Sequence, residues 1–351
     1  MHKLITIGSE EKIHRLMSLS IIIVSYNTRD LLKKCLESVF SDLGHSEFIT
    51  ERERVTSAER KRSVDISESF PTLKLVQGDD KNNVEVFVVD NASTDGSAEI
   101  VRKKFPQVKL IQNKTNLGFA KANNQAIKKA TGDYILLLNS DTEVQPSSIK
   151  KLIDFMDAHP QVGIVSAKLL NPDGTIQQSG GFIPRLSNIA AWMFFFDDLP
   201  IIKQIFWSYH QTNPGFYRKT RQLGWVQGAA MIIREKVLEE LEEVGPLDEK
   251  IFMYGEDIDL CLRARKAGWQ IWSVADSQVI HHRFQSGGEE NALLGEITGL
   301  KYIFAKHKPA WELPILRFIL KLGLLLRASL FATIWRDTSR YAIYKKALRL
   351  V

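Results

Sequence analysis

The chain has 351 residues, 44% of them hydrophobic and 25% charged, with a formal net charge of +6. That length and apolar fraction allow one large α/β domain with an appendage, or two ordinary domains, and exclude a disordered chain. The modest positive balance does not imply nucleic acid; it suits a phosphate-rich ligand or an anionic bilayer surface.

Met1 to Met17 mixes charged residues with isolated aliphatics and lacks the unbroken apolar core of a signal peptide. Ser20 to Val24 is an apolar run ending in Ser25-Tyr26-Asn27-Thr28, after which Leu31, Leu32, Cys35, Leu36, Val39 and Phe40 recur at helical spacing. This reads as strand, polar turn and helix. The unit repeats three times: Val84 to Val89 with a helix from Ser97, Val108 to Ile111 with a helix from about Phe119, and Tyr134 to Leu138 with a helix from Pro146 through Met156. Such alternation predicts an α/β fold with a mostly parallel, Rossmann-like central sheet and helices on both faces. Residues 41–83, rich in Glu, Arg, Lys and Ser, exceed a normal helix-to-strand connection and read as a mobile insertion.

Past Ser166 the pattern changes. Asn171-Pro172-Asp173-Gly174 is a turn signal between short apolar runs and predicts a hairpin, so the second half is expected to be mixed α+β. Ala191 to Trp207 is dense in large apolar groups, from Trp192 and Phe194 to Ile205 and Trp207; it fits either a core-packing helix pair or a lipid-facing acceptor region. Leu313 to Trp335 is long enough to cross a bilayer, but Arg317, Lys321 and Arg327 recur along it, which favours an interfacial amphipathic helix over a span. The two cysteines, Cys35 and Cys261, fall inside helical patterns and are expected as buried reduced thiols in a cytoplasmic protein.

Chemistry-bearing residues gather at predicted strand ends and helix starts. Asp90 ends a strand, where a carboxylate accepts from a base N–H or a ribose hydroxyl, although it and Asp95 also suit helix capping. Ser25, Tyr26 and Asn27 add polar groups to the same edge, with Tyr26 able to stack on a base. Asn139-Ser140-Asp141 ends the most hydrophobic strand, where one hard oxygen ligand suits Mg2+ or Mn2+ shared with a diphosphate. Gly255-Glu256-Asp257-Ile258-Asp259 opens a helix ending near Gly268; Asp259 is within ion-pair reach of Arg263, while Glu256 or Asp257 is available to face a cleft. His281-His282 follows a short strand at 278–280 and offers an imidazole to a metal site begun by Asp141. No G-x-G-x-x-G follows a strand, which excludes the usual dinucleotide site.

In order, Ser20-Ile-Ile-Ile-Val-Ser-Tyr-Asn27, Val88-Val-Asp-Asn-Ala-Ser-Thr-Asp-Gly-Ser97, Asn116-Leu-Gly-Phe-Ala-Lys-Ala-Asn-Asn124, Leu136-Leu-Leu-Asn-Ser-Asp141, Trp225-Val-Gln-Gly-Ala229 and Phe252-Met-Tyr-Gly-Glu-Asp-Ile-Asp-Leu-Cys261 resemble the motifs of family 2 glycosyltransferases of the type A fold, in particular the rhamnosyltransferase-like subgroup that builds bacterial surface polysaccharides. The likeness runs from about Ser18 to Ser286. It implies a catalytic domain over 18–286, with a nucleotide-binding half to about 141 and an acceptor half from 142; the apolar helical patterns beyond it make 287–351 a helical, membrane-associating region. The likeness further implies that Asp90 reads the base, with Ser25, Tyr26, Asn27, Asn91, Asp95, Asn139 and Ser140 around the nucleotide. In the same sense the segment bearing Gly118, Phe119 and Asn123 lies over the nucleotide. Asp141 would be the metal ligand, His281 a further metal or diphosphate contact, Asp257 the general base with Glu256 next in line, and Trp225, Gln227, Gly228 and Ala229 the acceptor wall. The donor would be a dTDP- or UDP-sugar, the acceptor a glycan or lipid-linked glycan, and the location the inner face of the cell membrane. Two departures stand out: Asn139 begins the aspartate-x-aspartate motif, and Phe284 occupies the glycine position of the His-x-x-Gly-x-Ser motif, which leaves the choice between His281 and His282 open. Competing readings are a non-catalytic membrane-bound sugar-nucleotide binder and a sugar nucleotidyltransferase. The latter is disfavoured because Ser25-Tyr26-Asn27-Thr28 lacks glycine.

Overall fold

The computed structural model describes residues 18–45, 84–197, 199, 208–241, 245–283 and 288–351. The expected insertion beyond residue 45, the N-terminal segment, the stretch 201–207 and Phe284 to Ser286 lie outside these.

Four parallel strands form the first half of the sheet: β1 (Leu19–Ser25), β2 (Val84–Asp90), β3 (Lys109–Gln112) and β4 (Tyr134–Asn139), in the order β3-β2-β1-β4. Helices α1 (Arg29–His45), α2 (Ser97–Lys104) and α3 (Phe119–Ile127) connect them. Next come β5 (Thr142–Val144), α4 (Ser148–Ala158), β6 (Val162–Leu170), β7 (Gly180–Gly181), α5 (Leu186–Met193), β8 (Arg221–Gln222), β9 (Trp225–Val226) and β10 (Ala230–Arg234). The chain continues through α6 (Glu235–Glu240), α7 (Glu256–Lys266), β11 (Gln270–His281), α8 (Gly288–His307), α9 (Glu312–Thr333) and α10 (Thr338–Ala347). The sheet extends beyond β4 as β10-β6-β11-β5, with β10 antiparallel to both neighbours and β11 parallel to β6.

Side-chain alternation along buried strands divides the core into two layers. Ile21 and Ile23 face the layer of α1, α2 and α4, while Ile22 points to the layer holding α3 and α7. Cys35 lies in the first layer and Cys261 in the second; both are free thiols, and burial pushes each up to about 12.

The predicted strand–helix repeats are present, and the helices expected from Ser97 and Phe119 begin at those residues. The turn at 171–174 closes with Gly174 in the left-handed region, but the hairpin shrinks to one antiparallel bridge, Leu170 to Ile176. The short strand expected at 278–280 is the end of β11, whose register against β6 shifts between Val274 and Gln278. This bulge re-aims the last residues of β11 toward β5 and the site.

Helix α5 buries Ile189, Ala191 and Met193 and packs on α9, while of the described residues that follow Trp192, Phe194 and Phe195 are half-buried and Phe196 and Leu199 are exposed, so the stretch that begins at Ala191 is only partly core. Helix α9 buries Leu316, Leu320 and Leu324 and leaves Trp311, Ile315, Phe318, Leu322 and Leu325 exposed at steps of four and three. Among the described residues, no helix is long and apolar enough to cross a membrane.

Candidate active site

Parallel pairing brings the carboxyl ends of β1, β2 and β4 side by side: Ser25 is opposite Asp90, and Val24 is opposite Asn139. A hydroxyl relay joins the ends, since Ser25 Oγ and Thr28 Oγ1 are 3.0 Å apart and Thr28 donates to Ser140 Oγ at 2.8 Å. Asp90 is fully buried; Oδ2 accepts from the Ser93 N–H at 3.3 Å, and Oδ1 has no hydrogen-bond partner among the described residues. An orphaned buried carboxylate oxygen is costly, and a ligand N–H or O–H would satisfy it.

A cavity of about 1120 Å³ opens along this edge. Tyr26, Asn91, Phe119, Asn139, Ser140 and Asp141 form its strand-end side. Asn91 ties down the next loop, donating to Asn116 Oδ1 at 2.9 Å and to the Gly118 carbonyl at 3.2 Å, and accepting from Leu117 N–H at 3.2 Å. Gly118 has φ 82°, and a Cβ there would lie 2.5 Å from the Phe252 carbonyl oxygen. The same carbonyl accepts from the Phe119 N–H at 2.8 Å, so this glycine lets the loop after β3 dock on the loop before α7.

Several sequence-predicted residues support the cavity without lining it. Asn27 Oδ1 accepts from Thr94 N–H, and Asp95 accepts from the backbone N–H groups of Arg29 and Ser97, pinning the starts of α1 and α2 together. Asn123 donates back to the Phe119 carbonyl at 2.9 Å.

Glu256 and Asp257 occupy the first turn of α7, reached through consecutive left-handed residues, Tyr254 (φ 69°) and Gly255 (φ 113°). Asp257 lines the cavity; Oδ1 accepts from Ile258 N–H at 2.8 Å and Oδ2 from Gly228 N–H at 3.4 Å. The next residue, Ala229, accepts from Asn139 N–H at 2.9 Å. Residues 228–229 thus bridge the end of β4 to the start of α7, joining Asp141 and Asp257 in one cavity wall. Burial holds Glu256 and Asp257 above the ordinary carboxyl range, and the Asp257 charge raises Glu256 further. Glu256 Oε2 is buried without a hydrogen-bond partner among the described residues.

His281 ends β11 beside Asp141, with Nε2 3.4 Å from Asp141 Oδ1. The histidine tautomer follows from Gln177. Its amide nitrogen donates to Asn171 Oδ1 at 2.9 Å and to the His281 carbonyl at 3.1 Å, so its oxygen, 2.7 Å from His281 Nδ1, must accept. The Nδ1 atom therefore carries a proton, and Nε2, which faces a carboxylate oxygen, also lies 3.3 Å from the Asn139 amide nitrogen, a donor that makes Nε2 the acceptor of the neutral ring. Two donors without a proton between them suit a cation. His282 turns away to Glu143 Oε1 at 2.7 Å, which separates the two histidines that sequence left equivalent. Among the described residues no group of three or more His, Cys, Asp or Glu side chains could hold a metal, so an ion here would take its remaining ligands from substrate and water.

The acceptor-side residues expected from sequence, Trp225, Gln227, Gly228 and Ala229, all line the cavity. Residues that sequence reasoning did not single out as part of the site also line it: Tyr254, Arg283, His210 and Glu296. Burial and the charges of Glu256 and Asp141 raise the Tyr254 hydroxyl. Non-glycine residues with positive φ border the site at four loops, Asn27 (53°), Ala92 (67°), Tyr254 (69°) and Arg283 (50°), the kind of backbone strain that collects where side chains must be aimed.

Helix α8 closes the cavity. Gly295 and Gly299 let it approach the 253–255 loop; a Cβ on Gly299 would lie 2.3 Å from the Tyr254 carbonyl oxygen. It is also tied to α7 by charge. The fully buried Asp259 pairs with Arg263 at 2.7 Å, as the i to i+4 spacing predicts, and in addition with Lys306 and His307 of α8, each at 2.7 Å.

The profile of the family described as "Glycosyl transferase family 2" matches residues 71–241. An N-acetylglucosaminyl-diphospho-decaprenol L-rhamnosyltransferase of Mycobacterium tuberculosis is 30% identical over 266 residues, covering 70% of this chain and 83% of that one. The O-antigen biosynthesis protein RfbC of Myxococcus xanthus is 31% identical over 206 residues, 58% of this chain and 15% of that one. Among solved structures, a mannosyltransferase from Pyrobaculum calidifontis in complex with GDP-Man and Mn2+ aligns with a TM-score of 0.50 at 17% identity, over 95% of this chain and 86% of that one. The sheet order, with antiparallel β10 set between the mutually parallel β4 and β6, is that of the type A glycosyltransferase fold. The chain belongs to glycosyl transferase family 2.

Proposed function

We propose that the protein is an inverting, metal-dependent glycosyltransferase. It moves a sugar from a nucleoside diphosphate to a hydroxyl of a glycan or lipid-linked glycan in bacterial surface polysaccharide synthesis. The supporting observation is the shared wall that joins Asp141 and His281 to Asp257 through residues 228 and 229. A dTDP- or UDP-sugar is the donor class, with rhamnose suggested by the activity named for the mycobacterial relative.

In this reading Asp90 accepts from the base and Tyr26 and Asn91 flank the nucleotide. Asp257 removes the proton from the acceptor hydroxyl as that oxygen bonds to the anomeric carbon, and the bond from that carbon to the diphosphate oxygen breaks on the opposite face. Asp141 and His281 would hold Mg2+ or Mn2+, which when bound would stabilise negative charge on the diphosphate. The test is a panel of nucleotide sugars offered to purified protein with each cation, scored for transfer and for donor hydrolysis. Absence of both across the panel, in protein that binds the nucleotides, would favour a non-catalytic binder.

Gln177 provides a sharper check on the cation. In Gln177→Met the His281 ring loses its orienting acceptor, and the Mn2+ concentration for half-maximal activity is expected to rise about 10–100-fold. An unchanged metal titration would remove His281 from the cation's ligands.

The exposed stripe of α9 supports attachment at the cytoplasmic face of the membrane. Trp311 and Phe318 are 62% and 63% exposed, and the exposed Arg317 and Lys321 sit beside them, a pairing that suits an anionic bilayer interface. Phe318→Glu is expected to abolish co-sedimentation with vesicles containing anionic lipid while leaving the thermal midpoint in place. Equal sedimentation of both proteins would sink this part of the reading.

A further inference from the structure

The cavity has a second polar centre, made by residues outside the six sequence motifs except for Trp225. Glu296 on α8 meets both Tyr209 and His210. The Tyr209 hydroxyl donates to Glu296 Oε1, and His210 Nε2 lies 2.6 Å from the same oxygen. Neither partner engages Oε2, and a quarter of the Glu296 side chain, 25%, is exposed in a residue that lines the cavity. Aromatic rings surround the pair. Trp192 and Trp225 stand edge-on to His210 at centroid distances of 5.8 Å and 5.6 Å, and Tyr209 lies against it at 4.1 Å.

Burial removes charge from this centre. It lifts the Glu296 carboxyl to about 8, and together with the nearby Arg283 guanidinium it lowers the His210 imidazole to about 4. With one proton between them at neutral pH the pair has no net charge, whichever partner holds it, so it presents hydrogen-bonding groups beside aromatic rings. A pyranose ring has the matching surface: apolar C–H faces that pack on aromatic rings, and hydroxyls at its edge that need donors and acceptors. A diphosphate is the poorer match: Arg283 lies near His210, but the carboxyl group and the indole rings offer it no further positive charge.

Position ties the centre to the proposed base. Trp225 is three residues from Gly228, whose N–H reaches Asp257, and Glu296 is one helical turn from Gly299, which packs on Tyr254 and Gly255 at the start of α7. Trp192 is held from behind by α9: Arg327 donates to the Trp192 and Met193 carbonyls and lies over the Trp192 ring at 5.6 Å.

We propose that Trp192, His210, Trp225 and Glu296 form the subsite that receives a sugar ring of the acceptor and orients its attacking hydroxyl toward Asp257. This rests on the transferase reading above and assigns it an acceptor site built largely from α5, the 209–210 segment and α8. In this role Glu296 and His210 are positioning and specificity residues, the half-buried Trp192 indole is the packing surface, and the buried Trp225 backs His210 at the cavity wall.

The test separates acceptor binding from catalysis. Saturation-transfer NMR is run on the full chain with octyl glycosides of hexoses and N-acetylhexosamines, without any nucleotide sugar, alongside titrations of UDP and dTDP. At least one glycoside is expected to receive saturation at its ring protons, and that signal to fall at least about fivefold in both Trp192→Ala and Glu296→Gln. Nucleoside diphosphate affinity is expected to stay within about twofold of the parent. Glu296→Gln keeps the side-chain shape, so it decides the matter if Trp192→Ala unfolds. Ring saturation that survives Glu296→Gln, saturation confined to the octyl chain, or displacement of the ring by UDP or dTDP would each overturn the proposal. A parent chain that binds glycoside rings but neither nucleotide would instead remove the transferase reading and leave the sugar subsite standing.

Discussion

Sugar transfer is expected to fall about 10²–10⁴-fold in Asp257→Asn, the range for loss of a general base, while affinity for the nucleotide sugar stays within about twofold. The Asp257 carboxylate is held by two backbone N–H groups, from Ile258 and Gly228, and faces the cavity, so Asn keeps the shape, removes the basicity and gives up one of the two backbone hydrogen bonds. Glu256→Gln is expected to cost less. The Asp257 charge raises Glu256 beyond the effect of burial, so Glu256 is the acid of the pair that stays protonated when Asp257 ionises. The pH dependence follows with a definite sign. A base must be ionised to act, and burial lifts Asp257, so kcat/KM should decline on the acid side at a pH well above the ordinary aspartate value of about 3.9. A rate that is flat down to that value, or full activity in Asp257→Asn, would place the base elsewhere.

The second large effect concerns stability. Asp259 is fully buried and pairs with Arg263, Lys306 and His307, and Arg263 also donates to the Gly245 and Pro246 carbonyls at 3.1 Å and 2.8 Å. Lys306 reaches Asp248 as well, at 2.7 Å, and Tyr302 donates to the same carboxylate. Asp259→Asn leaves Arg263 and Lys306 without their shared anion and is expected to destabilise the fold by about 3–5 kcal/mol, the usual cost of breaking a buried ion pair. Urea unfolding measures it; a loss below about 1 kcal/mol would mean that the pairing contributes no more than a surface salt bridge. Although burial alone would raise Asp259, hydrogen bonds from His307 and Lys306 and the Arg263 charge hold it well below the usual carboxylate range. The gap between parent and variant should therefore be full above the unfolded-state value near 3.9. It should shrink as pH drops from there through the lower folded-state value. Because the network joins α7 to α8, the same variant should also loosen the wall that carries Glu296.

The candidate site residues that were legible in the sequence are those whose placement is local. An apolar run that stops at Asp90 or at Asn139-Ser140-Asp141 puts those residues at a strand end whatever the rest of the chain does. Gly255 followed by Glu256-Asp257 likewise puts two acids in the first turn of a helix. Asp259 with Arg263 was legible for the same reason, since four residues along a helix is a fixed distance.

What spacing along the chain could not supply is which groups meet across the fold. His281 is distinguished from His282 by Gln177, 104 residues away, and by the bulge that turns the end of β11. Asp257 is distinguished from Glu256 by the N–H of Gly228, 29 residues back. His210 and Glu296 are single residues in unremarkable local patterns, and only the approach of α8, permitted by Gly295 and Gly299, makes them a pair. The sequence by itself determined the parallel strand–helix frame and the acids on its edge, because periodicity and turn chemistry act over a few residues. Tertiary packing alone decided the histidine tautomer, the buried charge network and the far wall of the cavity, because each of these depends on contacts that close only when distant segments dock.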